Sequence, residues 1–184
     1  MIEPDLAPGV ECVELLDLMP APATMTLAWR QRAAETAVRR AIALQASGRH
    51  LLVAGDPIAA AEVAAAPSAT DLDAIAVCLL DLRPDAQAQR LAARGDPPEL
   101  VPHHQAFAAW MRAQATDPLH MPHVVRDGGW AQMRWERLAR LAPEWGMLTI
   151  DASDMSRREV ADAARDWCRG ALTGTAPSLR VPGP

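Results

Sequence analysis

The chain contains no lysine, no tyrosine and no asparagine, and only one phenylalanine in 184 residues. All 18 of its Lys+Arg residues are therefore arginine. Without lysine it cannot carry a glycine-rich loop of the form GxxxxGK[ST], whose lysine meets the terminal phosphates of a nucleotide. Cysteine is scarce: Cys12, Cys78 and Cys168 are odd in number and far apart, in apolar or helical surroundings, which argues against a disulfide framework and for buried thiols. No run approaches the roughly 18 apolar residues that cross a bilayer. "MIEPDLAPGVEC" also lacks the basic start and apolar core of a secretory signal, and a cytoplasmic protein is expected. Acids outnumber bases 23 to 18, for a net charge of -5, so no global field draws the chain to nucleic acid or to an anionic membrane. Neither is expected as a partner. GxSxG, Cys/His pairing and basic–aromatic alternation are also missing.

What is present suits one globular domain: 50% hydrophobic and 22% charged residues in a length that buries one substantial core. "VECVELLDL" (10 to 18) reads as a strand entering the breaker "MPAPAT". "TLAWRQRAAETAVRRAIALQASG" repeats apolar residues at helical spacing and closes on Gly48. "HLLVAG" is a second strand, and Asp56-Pro57 suits the start of a helix through "IAAAEVAAA". "AIAVCLLDL" (74 to 82) is a third strand, and "RPDAQAQRLAARG" a helix stopped by Gly95. Strand and helix alternate, which predicts an α/β three-layer sandwich with a parallel sheet covered on both faces.

"DPPELVPHHQAFAAWMRAQATDPLHMPHVV" then breaks the rhythm with prolines around a helix, and "GGWAQMRWERLARLAPEWG" follows. "MLTID" (147 to 151) is a strand, and Ser156 with Glu159 forms a capping box for a last helix carrying Val160, Ala164, Trp167, Cys168 and Ala171. These segments predict one domain over 1–172, with a helical lid-like insert at about 96–145 and a flexible tail over 173–184.

The strand to Asp17, the helix with "WRQRAAE", strands to "AGD" and "LLD", the helix "QRLAARG", the helical insert, the strand to "TID" and the final helix together resemble the P-loop NTPases, of the AAA and small-molecule or nucleotide kinase type. The resemblance runs from about residue 10 to 170 and rests on element order and acid placement. It implies a parent activity of ATP-dependent phosphoryl transfer to a small molecule or nucleotide, on a fold lacking its first strand and phosphate loop. No cofactor is expected of the chain as given, and ATP with Mg is expected only if that loop is supplied. The resemblance also places the absent strand between the strands at 50 to 55 and 75 to 81, so these are expected to pair directly or to receive an inserted segment.

The same resemblance assigns roles. Asp17 matches a general base facing the phosphate acceptor, or is a plain loop carboxylate. Asp56 matches the acid that orders magnesium through water, or caps the following helix. Arg90 and Arg94, one turn apart, match lid arginines that neutralise phosphate charge, or are solvated. Trp29 and Arg30 lie on the substrate side. Two further readings stand beside phosphoryl transfer. One is a repurposed, non-catalytic domain that binds a small anionic ligand, a nucleotide or a partner protein. The other is a metal-dependent enzyme built on His103, His104, His120 and His123 with Asp117. Tryptophans at helical spacing are core or interface, and Trp110, Trp130 and Trp135 are the candidate anchors of a homo-oligomer or partner contact.

Overall fold

The computed structural model describes residues 9–20, 22–54 and 58–183. In chain order it contains β1 (Val10–Glu14), α1 (Leu15–Leu18), α2 (Leu27–Gln45), β2 (His50–Ala54), α3 (Ala60–Ala65), β3 (Cys78–Asp81) and α4 (Pro84–Arg94). These are followed by α5 (Val101–Gln114), α6 (His123–Arg126), α7 (Arg137–Leu141), β4 (Leu148–Asp151) and α8 (Arg157–Thr173). Short 3-10 turns join several of them.

Local chemistry explains most of the boundaries. The first apolar run does not stay extended to residue 18: it turns into α1 after Glu14, and the Asp17 carboxylate accepts the Glu14 N–H at 3.0 Å. At α2, the Thr26 hydroxyl accepts the Trp29 N–H at 3.2 Å, satisfying one of the four orphan donors of a helix start. Pro84 opens α4, and Gly95 closes it in the left-handed conformation that a Cβ would disfavour. At α8, Ser156 and Glu159 exchange their side-chain-to-backbone bonds, the expected capping box.

The core forms where small residues let helices meet. Val38 of α2 packs with Ala61 and Ala64 of α3 and with Leu138 and Leu141 of α7, all sealed from solvent, while Ala33 of α2 packs with Leu15 and Trp29 in a second cluster. Alanine removes almost no side-chain entropy on burial and permits close helix approach. The second half of the insert packs onto the first cluster through Leu138 and Leu141. Arg137 donates to the Ala66 and Pro67 carbonyls at 2.8 and 3.2 Å, and the Arg134 N–H donates to Ala65 O at 2.7 Å, so this part of the insert caps α3.

The end of the chain, expected as a flexible tail, is packed as well. Ile75 and Leu179 exchange backbone bonds of 2.9 and 2.8 Å, and Leu179 and Val181 are buried. Trp110, a candidate surface anchor, is likewise a core residue beside Phe107 and Val125, and Trp135 is partly buried against two clusters.

The strands depart most from expectation. They form two separate parallel pairs, β1 with β2 (Val10 opposite His50) and β3 with β4 (Cys78 opposite Leu148). The architecture is α/β with short parallel two-stranded sheets, and the single sheet of a three-layer sandwich is not formed among the described residues. Direct pairing of β2 with β3, expected above, does not occur, and no described segment lies between them. The chain entering β3 is held instead by its bridge to Leu179.

Candidate functional site in the cleft between the sheets

The separation of the sheets leaves a cleft of about 1780 Å³. It is bordered by the whole of β2 and the whole of β3, with walls from α2, α4, α5 and α8. Its floor is apolar, with Leu52, Val53, Leu79, Phe107 and Met111 among the contributors. Five arginines (Arg30, Arg49, Arg90, Arg94 and Arg157) line it against two aspartates (Asp73 and Asp81). Three of the five are paired with acids outside the lining, Arg30 with Glu62, Arg49 with Glu11 and Arg94 with Asp96, so Arg90 and Arg157 are the lining cations that no acid pairs among the described residues.

The carboxyl ends of β3 and β4 gather the polar chemistry, as the carboxyl ends of parallel strands generally do. Asp81 ends β3, and its carboxylate accepts from Arg112 Nη1 at 2.8 Å, with both side chains partly buried. Asp151 ends β4 and accepts the Ser153 N–H at 2.9 Å. The Ser153 hydroxyl and then its N–H hold the Asp151 carboxyl below the ordinary carboxylate range. Arg83 forks onto Asp154 with two bonds of 2.8 Å, lowering that carboxyl too, and lies 3.7 Å from Asp151. Asp151 and Asp154 are thus ionised acceptors at neutral pH, a poor pair for proton donation.

The residues expected at a site are divided among several places. Arg90 and Arg94 line the cleft, but Arg90 Nη2 donates to Ala152 O at 2.6 Å and Met155 O at 3.3 Å, and Arg94 pairs with Asp96 at 2.5 Å. Arg30 also reaches the cleft while its Nε meets Glu62 at 3.1 Å. Burial pushes the Glu62 carboxyl above its ordinary range, against the pull of Arg30. Trp29 is buried, donates from Nε1 to Pro20 O at 3.3 Å, and with Arg30 lines a separate hollow of about 310 Å³ beside α1. Asp17 lines neither cavity and serves the start of α1. Asp56 lies outside the described residues.

Of the histidines, His103 and His104 line the cleft with ring centroids 6.1 Å apart, edge to face. His120 and His123 do not line it. Among the described residues no group of three or more His, Cys, Asp or Glu is placed to hold a metal ion. Cys78 and Cys168 both line the cleft. Burial, then the neighbouring Cys168, pushes the Cys78 thiol up to about 11, and burial raises Cys168 too. Both are protonated at neutral pH and neither is a ready nucleophile.

The pairing of Asp81 with Arg112 and the position of Arg157 had no counterpart among the residues expected from sequence. Asp81 and Asp151 did carry a signal, an acid closing an apolar run. Arg112 and Arg157 carried none: Arg112 reaches Asp81 from α5, and Arg157 enters the cleft from α8, both distant in sequence from β3. No protein-family model, curated protein or solved structure matches this chain.

Proposed function

We propose that this is a binding domain whose cleft takes a small anionic ligand of the phosphate-bearing class. The observation that carries this reading is that two of the cleft's five arginines, Arg90 and Arg157, have no acid paired with them among the described residues, while Arg30, Arg49 and Arg94 do. Arg157 is the member best suited to a ligand, since it makes no ion pair among the described residues. Arg90 sits at a carbonyl pair and presents a guanidinium fork suited to phosphate oxygens. Phosphoryl transfer is the second reading, favoured by the acids that end β3 and β4. It requires a glycine-rich loop that residues 1–184 do not contain.

Calorimetric titration with inorganic phosphate and with ADP, at low and raised salt, tests the binding reading. Saturable, salt-weakened binding that falls at least tenfold in an Arg90→Ala/Arg157→Ala variant is expected. Absence of binding for both ligands, or binding indifferent to the double variant, overturns it.

A further inference from the structure

The polar rim and the apolar floor of the cleft call for different occupants. Among the described residues β2 pairs only with β1 and β3 only with β4, so each keeps one edge out of any sheet there. The cleft is bordered by His50 through Ala54 on one side and Cys78 through Leu82 on the other, and by no residue of β4. No backbone bond crosses it among the described residues. Unpaired strand edges that face one another form a template for a further strand.

Three further observations agree. No residue of any of the four strands is buried, although parallel strands are ordinarily covered on both faces. Gln114, only 2% exposed, lines the cleft with its side-chain Nε2 unpartnered, and the buried Nε1 of Trp167, another lining residue, also lacks a partner. Both atoms are donors, so they require acceptors of the kind peptide carbonyls offer. A five-residue strand fills a slab about 17 by 5 by 10 Å, roughly 800 Å³, by the ordinary strand rise, strand spacing and sheet spacing. The cleft has room for such a strand and its side chains.

We propose that the cleft is a strand-addition site for another polypeptide: an extended aliphatic segment that pairs with β2 and β3 together and is flanked by acidic residues. The aliphatic centre answers the apolar lining, and the acidic flanks answer Arg90 and Arg157, the lining arginines that no acid pairs among the described residues. The open strand edges and the two unpartnered donors carry the inference without phosphate binding, and only the acidic flanks share Arg90 and Arg157 with that reading.

The test uses the full chain and a blocked peptide of alternating valine and leucine with glutamates at both ends. Amide exchange is read by mass spectrometry or NMR. With peptide, the amides that point to the open edges, Leu51 and Val53 of β2 and Cys78 and Leu80 of β3, are expected to slow about tenfold or more, while the already sealed α2 amides stay unchanged. A central proline in the peptide, which removes a donor and breaks the ladder, is expected to abolish the effect, as is Leu79→Glu in the protein. Four outcomes overturn the proposal. One is no protection of either edge. A second is protection equal with the proline peptide. A third is protection of both edges without peptide that rises with protein concentration, which assigns the cleft to a second copy. The last is the same protection on extending the chain N-terminally in its reading frame, which assigns the strand to the chain itself.

Discussion

In the hub formed by α2, α3 and α7, alanines and leucines from three distant stretches are sealed from solvent, whereas in the two sheets no strand residue is buried at all. The two regions draw on equally apolar sequence: "AAAEVAAA" and "AVCLLDL" are both runs that hydropathy assigns to an interior. The difference lies in what each meets. α3 meets partners for both its side chains and its ends: α2 and α7 cover its apolar face, and Arg134 and Arg137 take the carbonyls of Ala65, Ala66 and Pro67. A strand pair satisfies one edge per strand and leaves the other dependent on a neighbour.

The largest effect expected of that contrast is in stability. Leu138→Ala removes a side chain that is 1% exposed and is expected to cost about 3 kcal/mol, as buried leucine truncations do. Leu80→Ala, on a β3 side chain 48% exposed, is expected to cost less than about 0.5 kcal/mol. Urea denaturation measures both, and comparable losses would erase the distinction between the regions.

Next is the clamp that ties the insert to the hub. Gln31, fully buried, donates to Val125 O at 2.5 Å and accepts the Trp130 N–H at 2.6 Å. Gln31→Leu leaves both backbone groups without that partner and is expected to cost about 2 kcal/mol. Gly129→Ala tests the same contact from the other side. A Cβ there would stand 2.7 Å from Gln31 Oε1 and 3.0 Å from the Arg126 carbonyl, and a loss of about 1–3 kcal/mol is expected from overpacking. Thermal melts of the two single variants and the double variant report the coupling.

A smaller effect is pH dependence, where two buried acids of the hub act in opposite directions. Burial works to raise the Glu35 carboxyl, but the Ser68 hydroxyl, Arg39 and the Ser68 N–H outweigh it and hold the group below its ordinary range. Its folded pKa is therefore depressed: its stabilisation is present above the unfolded value and is lost as pH falls through the folded one. Glu62 is raised, chiefly by burial. Its stabilisation is full below the unfolded value and is lost as pH rises through the folded one. Glu35→Gln should therefore destabilise at neutral pH and converge on the parent in acid. Glu62→Gln should be closest to neutral, or stabilising, on the alkaline side. Denaturation midpoints across an acid-to-neutral series check both signs.

The smallest expected signal is nucleotide affinity. Micromolar binding needs about 8 kcal/mol, and of the cleft arginines Arg30, Arg49 and Arg94 are already paired with acids within the chain. Calorimetry with ATP and magnesium is expected to show no complex at micromolar or tighter affinity. A tight, magnesium-dependent complex would move the phosphoryl-transfer reading ahead of simple anion binding.

Elements with their own local grammar were legible in advance. Residues of α2, α4 and α8 carry periodicity, a capping serine or threonine, or a closing glycine, and each formed where those signals placed it, while α5 formed between the prolines that bracket it. Two misreadings share a cause. "VECVELLDL" looked like strand to its end because an apolar run of that length does not distinguish strand from helix, and Asp17 then bonded to the Glu14 N–H to start α1. The C-terminal segment looked unstructured because its two anchoring residues, Leu179 and Val181, show no period, and only a bridge to Ile75 gives them a place.

For this chain, sequence by itself determined an arginine-only basic set, the absence of a phosphate-loop lysine, the order of helices and strands, and the acids that close β3 and β4. Those properties are local or compositional, and no partner is needed to express them. Tertiary structure alone decided that the strands pair in twos, that Arg112 meets Asp81, that the tail and the insert enter the core, and that a cleft opens between β2 and β3. Each of these depends on which distant backbone edge or side chain arrives alongside. A hydrogen-bond ladder or a buried contact is defined by two segments at once, and neither segment alone encodes the distance between them.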